Sequence, residues 1–202
     1  MIRLVQNPLH PESAFVDEDA LSHDDDLDSL EVPEGYLRVR LTLPLGSELV
    51  PQNWQAVRRS ATFELSARHE HCPHAMLVKQ AEWSAWFEAH WDYYSDCHSD
   101  NPPARPIDLR RAFGQSIEDG TAAFIGSGFA SLRGMSAGIS EAGWIGGTKA
   151  EVEEGIRWCR TQAKEIGAKA VIFEAEDTDP FLWSALHKMS EPTEVFETFE
   201  LS

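Results

Sequence analysis

Apolar positions recur at helical spacing in the last third of the chain. Val152, Ile156, Cys159, Ala163 and Ile166 follow steps of 4, 3, 4 and 3, one face of an amphipathic helix over residues 149–166. Gly167 stands just past the last apolar position, where helices usually stop. Ala170-Val-Ile-Phe-Glu-Ala175 reads as a buried strand. Asp179 and Pro180 then open a second helix, with a carboxylate at the cap and proline at the first helical position. Phe181, Leu182, Ala185, Leu186 and Met189 line its inner side, and Val195–Leu201 reads as a terminal strand. Ahead of this unit, a strand ending at Trp144 runs into the glycine-rich stretch Gly146-Gly-Thr-Lys-Ala150.

Upstream patterns are more varied. Tyr36–Leu43 alternates, with Leu37, Val39, Leu41 and Leu43 on one face and Tyr36, Arg38, Arg40 and Thr42 on the other, a half-buried strand. Residues 51–67 read as helical through Trp54, Val57, Arg58 and Ala61. Residues 75–94 give the strongest amphipathic helix: Trp83, Trp86, Phe87, His90, Trp91 and Tyr94 follow steps of 3, 1, 3, 1 and 3. That aromatic face packs on a sheet or walls a pocket, and His90 on it reads as a satisfied core residue. Residues 95–106 carry three prolines and predict a loop. Leu109–Ile117 and Thr121–Leu132 look strand-like around Asp119-Gly120, a hairpin signal. Gly126, Ser127 and Gly128 interrupt the second run, where a bulge or a close ligand would need small residues. A turn at 134–138 leads back into the strand that ends at Trp144.

At 202 residues the chain suits one domain with an extension. Residues 1–35 hold ten Asp or Glu and one Arg and read as an acidic extension; residues 36–202 form the domain. Phe15, Val16, Leu21, Leu27 and Leu30 would let that extension wrap its own domain. The net charge of -17 disfavours nucleic acid, whose phosphates would be repelled. It suits a cationic substrate or a basic partner, and equally suits simple solubility. Three cysteines, Cys72, Cys97 and Cys159, point to a reducing compartment rather than a disulfide framework. With no leader and no long apolar run, the chain is expected to be soluble and cytoplasmic, away from membranes. A homodimer is a further expectation.

His69-Glu-His-Cys-Pro-His74 crowds three imidazoles and a thiol into six residues. Structural zinc ligands come as separated pairs, so the segment reads as a gating loop or plain surface, and no metal ligand is assigned. No Gly-x-Ser-x-Gly elbow, His-Glu-x-x-His or phosphate-binding Walker loop occurs.

The order strand, glycine loop, helix, Gly167, strand, acidic turn at Asp179, short helix, final strand resembles the C-terminal half of the GNAT-type N-acetyltransferases. The resemblance implies an α/β fold: a mixed, mostly antiparallel twisted sheet with a central splay and helices on both faces. It implies acetyl-CoA as co-substrate, held by Trp144, Ile145, Gly146, Gly147, Thr148, Lys149 and Ala150 at the head of the helix. First-turn N–H groups there lack intrahelical partners and the helix dipole favours an anion. The turn ahead of Lys149 is thus expected to aim amide hydrogens into an open notch. Ile145, Thr148 and Ala150 stand where the family loop has Arg or Gln, Gly, and Gly or Ala. The resemblance also implies direct acyl transfer to a small amine or basic protein. Glu141 would be the general base, on one face with Gly143 and Ile145 by alternation, and His187 would be the acid that protonates the leaving thiolate. Glu151, Glu153 and Glu154 favour the helix start but repel a pyrophosphate. The second reading is a GNAT-shaped binding or regulatory protein without catalysis, holding a basic partner by its acidic surface.

Overall fold

The computed structural model describes residues 2–22, 25–113 and 121–202. The described strands form one ten-stranded sheet. In chain order they are β1 (Leu4–Gln6), β2 (Ser13–Val16), β3 (Arg38–Pro44), β4 (Gln55–Ser66), β5 (Ala75–Leu77), β6 (Thr121–Ile125), β7 (Gly128–Ser136), β8 (Ile139–Gly146), β9 (Ala170–Glu176) and β10 (Glu194–Leu201). The helices are α1 (Trp83–Cys97), α2 (Leu109–Phe113), α3 (Lys149–Glu165) and α4 (Pro180–Met189). Across the sheet the order is β1-β2-β3-β10-β4-β9-β8-β7-β6-β5. Two of the pairings are parallel, β2 with β3 and β8 with β9; the others are antiparallel.

Strand alternation puts helices on both faces. Ala123, Ala130 and Ile145 pack with Val152, Ile156 and Cys159 of α3 and Leu182, Ala185 and Leu186 of α4. Their chain neighbours Ala122, Phe129 and Trp144 pack with Trp86, Phe87, Trp91 and Tyr94 of α1. Successive side chains of a strand point to opposite faces, so α1 and α3 lie on opposite sides of the sheet. Phe63 of β4 and Phe173 of β9 stand directly opposite each other and are fully buried under α3 and α4. Burying each is worth roughly 1.5–3 kcal/mol. A third apolar cluster joins Ala14, Val16 and Leu27 to Val39, Leu41, Trp54 and Phe199, so the acidic N-terminal residues pack on β3 and β10.

The sequence reading holds for the existence of β3, α3 to within a residue, β9, α4 and β10, and for the turn ahead of β8, but Leu37, Phe181 and Met189, read as inward, are exposed, and Arg40, read as outward, is buried. Thr148 caps α3 and Asp179 caps α4, with Pro180 beginning the helix. The assignment of elements fails in three places. Residues 51–67 are not helical: β4 occupies them, with Ala61, Phe63 and Leu65 alternately buried. The helical spacing of Trp54, Val57 and Ala61 misled because the first half of β4 is largely uncovered. The aromatic helix begins at Trp83, because Ala75–Leu77 pairs instead with β6 as an edge strand. Leu109–Phe113 is helical rather than extended, and the Asp119-Gly120 turn lies outside the described residues. The hairpin here joins β6 to β7 through Gly126 and Ser127, with Gly126 at φ +63°, a left-handed conformation that favours glycine.

Candidate functional site

β8 and β9 part. Their parallel pairing runs only from Ile139↔Ala170 to Glu141↔Ile172, although β8 continues to Gly146 and β9 to Glu176. Beyond that point β9 keeps its partner β4 and β8 keeps its partner β7, so a wedge opens between them. A cavity of about 510 Å³ occupies the wedge.

A bulge in β8 shapes one wall. Ala130 pairs with Ile145 but Leu132 pairs with Ala142, so β8 carries one extra residue there. Ser131 fills the irregularity: its hydroxyl accepts the Trp144 N–H at 2.8 Å. A Cβ on Gly143 would collide with that same hydroxyl, which explains the glycine. The extra residue overturns the expected alternation. Ala142 and Ile145, three apart, both pack toward α3, so Glu141 does not share the face of Ile145.

Glu141, Trp144 and Ile145 line the cavity. Glu141 is exposed and paired with Arg133 at 2.9 Å. The Trp144 ring lies tilted against His90 and edge-on to Tyr94, at 4.5 and 5.6 Å between centroids. Gly146 is buried against Phe129 and Tyr93. Thr148, Lys149 and Ala150 are exposed at the head of α3. His187 lies outside the cavity lining: its Nδ1 is 2.9 Å from the Trp183 carbonyl, and its ring leans on Phe63 and Trp183.

Beside Glu141 the wedge carries carboxylates that the sequence reading did not assign to a site, those of Glu18, Glu174, Glu176 and Asp179. Five carboxylates thus line the wedge, with Arg133 the one lysine or arginine among the described lining residues. Glu176 is held from behind by Arg58 at 3.0 Å and His98 at 3.4 Å. Burial works against its charge, but His98 and Arg58 outweigh it and keep its carboxyl below the usual range. Asp179 accepts the Leu182 N–H at 3.0 Å and lies within hydrogen-bonding reach of the Tyr93 phenol. Burial raises its pKa all the same, and burial likewise raises that of Glu18. Burial and the carboxylate of Asp179 also push the Tyr93 phenol well above its ordinary value. Burial, then Asp179, pushes the Cys97 thiol beside it up to about 12, which favours the protonated thiol.

The notch at the head of α3 is not open. Glu151 Oε2 accepts the N–H and the hydroxyl of Thr148, both at 2.8 Å, and Oε1 accepts the N–H and the hydroxyl of Ser127, both at 2.7 Å. Burial opposes its charge, but the Ser127 and Thr148 donors hold its carboxyl down at about 2. The Thr148 and Ser127 donors at this loop are therefore engaged by a carboxylate of the chain, so a pyrophosphate would meet a like charge there and acyl-CoA does not fit this loop as it stands. The neighbouring His69–His74 segment is tied to the same helix: Glu154 accepts the His74 N–H at 2.7 Å and faces its Nδ1 at 2.9 Å.

No protein-family model matches the sequence, and no curated protein does. Solved structures share its fold. A GCN5-related N-acetyltransferase from Sphaerobacter thermophilus superposes with a TM-score of 0.59 at 12% identity, covering 81% of this chain and 59% of its own. A functionally unknown conserved protein from Staphylococcus epidermidis gives 0.51 at 11% identity, covering 81% of this chain and 71% of its own. A GNAT-family protein from Novosphingobium aromaticivorans gives 0.50 at 10% identity, covering 96% of this chain and 84% of its own. At such identities the likeness is one of fold, and this chain spans 59% of the first structure's length. Among the described residues no helix is long and apolar enough to cross a membrane.

Proposed function

Taking the GNAT fold of this chain as the premise, we propose that the protein binds a cationic, amine-bearing ligand in the wedge between β8 and β9, without a working grip on an acyl-CoA. A small amine or the lysine side chain of a basic protein has the required chemistry. The observation that carries this reading is the surplus of carboxylates around the wedge. Glu141 and Glu176 already face arginines, which leaves Glu18, Glu174 and Asp179 to meet a ligand. An ammonium near Glu18 or Asp179 would offset, by its opposite charge, the burial that raises their pKa values. At about 4 Å in a partly screened site, each such pair is worth up to about 4 kcal/mol before desolvation is subtracted. The aromatic residues Tyr94 and Trp144 also line the cavity that would hold the cation.

N-acyl transfer from acetyl-CoA to that amine is the second reading, favoured by the parting of the strands. In it Glu141 would take the amine proton and water would protonate the departing thiolate, while the Trp144 N–H, already given to Ser131, would not reach the carbonyl. His187 is too far outside the lining to be drawn into the same scheme. Glu151 weighs against this reading, because the donor's phosphates would meet a carboxylate at the loop.

Calorimetric titration with spermidine tests the proposal. The wild type is expected to bind saturably and more weakly as salt rises, and E18Q/E174Q to lose most of that affinity. Equal affinity in the double variant would defeat the assignment to the wedge. Release of free thiol from acetyl-CoA in the presence of spermidine would favour the second reading.

A further inference from the structure

We infer that the head of α3 is a self-occupied anion site: the Glu151 carboxylate sits where a ligand's phosphate would, and it excludes phosphorylated ligands from that position. Two separate segments build the cradle. Ser127, in the turn between β6 and β7, gives an N–H and a hydroxyl, and Thr148, ahead of α3, gives another of each. Four donors at 2.7–2.8 Å around one carboxylate are short, charge-assisted bonds, the set an anionic oxygen pair demands.

The glycines show how closely the cradle is fitted. A Cβ on Gly126 would stand 2.8 Å from Glu151 Oε1, and one on Gly147 would stand 2.7 Å from Oε2. A Cβ on Gly147 would also stand 2.9 Å from Gly128 Cα, so the two backbones close around the carboxylate. The carboxylate fills the space between Gly126 and Gly147, and a pyrophosphate arriving there would face a like charge as well as engaged donors. An incoming phosphate must therefore displace Glu151, which also forms the reciprocal cap of its own helix.

The inference is independent of the amine reading, since it concerns an anion at the loop and not a cation in the wedge. Its test is calorimetric titration of inorganic pyrophosphate, and separately of CoA, into wild type, Glu151→Ala and Glu151→Gln at fixed ionic strength. The wild type is expected to give no saturable heat with either. Glu151→Ala is expected to bind pyrophosphate at least about tenfold more tightly than wild type. Glu151→Gln keeps the length of the side chain without its charge and is expected to fall between them. If Glu151→Ala does not fold, Glu151→Gln decides alone. Saturable binding of pyrophosphate or CoA by the wild type, equal affinity of wild type and the folded variants, or no binding by any folded variant would each overturn the inference.

Discussion

Thr148 and Glu151 cap each other across the first turn of α3: the Thr148 N–H and hydroxyl both reach Glu151 Oε2 at 2.8 Å, and the Glu151 N–H returns to the Thr148 hydroxyl at 3.5 Å. This reciprocal cap satisfies donors that every helix start leaves over, and here it also closes the loop where the fold would hold an anion.

Thr148→Ala removes one half of the cap. It is expected to cost about 1–2 kcal/mol in urea denaturation, with the slope against urea unchanged. A loss below a few tenths would mean that Glu151 is held by Ser127 alone. The sign with pH follows from the depressed Glu151 carboxyl. Its contribution is present above the ordinary carboxylate value, and it is lost as pH falls toward about 2.

His10 gives a second pH dependence at higher pH. Its Nδ1 donates to the Asn101 carbonyl at 3.0 Å and its Nε2 accepts from the Tyr94 hydroxyl at 2.7 Å. Burial, then the neighbouring His98, lowers its pKa from 6.5 to about 4. The folded protein therefore resists a proton that the unfolded chain takes up. The stability this confers is complete above 6.5 and is lost as pH falls from 6.5 to about 4, at up to about 1.4 kcal/mol per pH unit. His90, lowered by burial to about 3, adds to the loss in the same direction. His10→Gln should flatten the decline between pH 6.5 and 4 in denaturation curves taken across that window. An unchanged slope would remove His10 from the account.

Gly128→Ala tests the close approach of the two segments around Glu151. The new methyl would run into the Gly146 carbonyl and come within 3.2 Å of Gly147 Cα. Backbone must move to admit it, so a loss of about 1–3 kcal/mol and a lower melting temperature are expected. A variant as stable as wild type would show that the segments are looser than described.

The legible parts of the chain were those whose signals are local. The apolar steps from Val152 to Ala163, the Asp179-Pro180 start and Gly167 at φ +88° each specify their element from a few neighbouring residues. β4 was not legible. Its place between β9 and β10 depends on partners more than a hundred residues away, such as Phe173 opposite Phe63 and Val195 opposite Ala61. The site divides in the same way. The Thr148-x-x-Glu151 cap is a pattern in the sequence, but the Ser127 donors that complete it come from a turn 24 residues upstream. The facing of Glu141 was lost to one extra residue in β8, which Ser131 stabilises from the neighbouring strand. The surplus of acid was visible in the composition, whereas its convergence on the wedge needed β3, β8, β9 and α4 to be folded together.

The most direct test of the amine site is a heteronuclear NMR titration of the wild type with spermidine at physiological ionic strength. The account predicts shifts that saturate together at the Trp144 indole, the Gly143 and Ile145 amides of β8, and the Glu174 and Glu176 amides of β9. Shifts confined to the acidic residues 24–28, with the wedge unmoved, would contradict it.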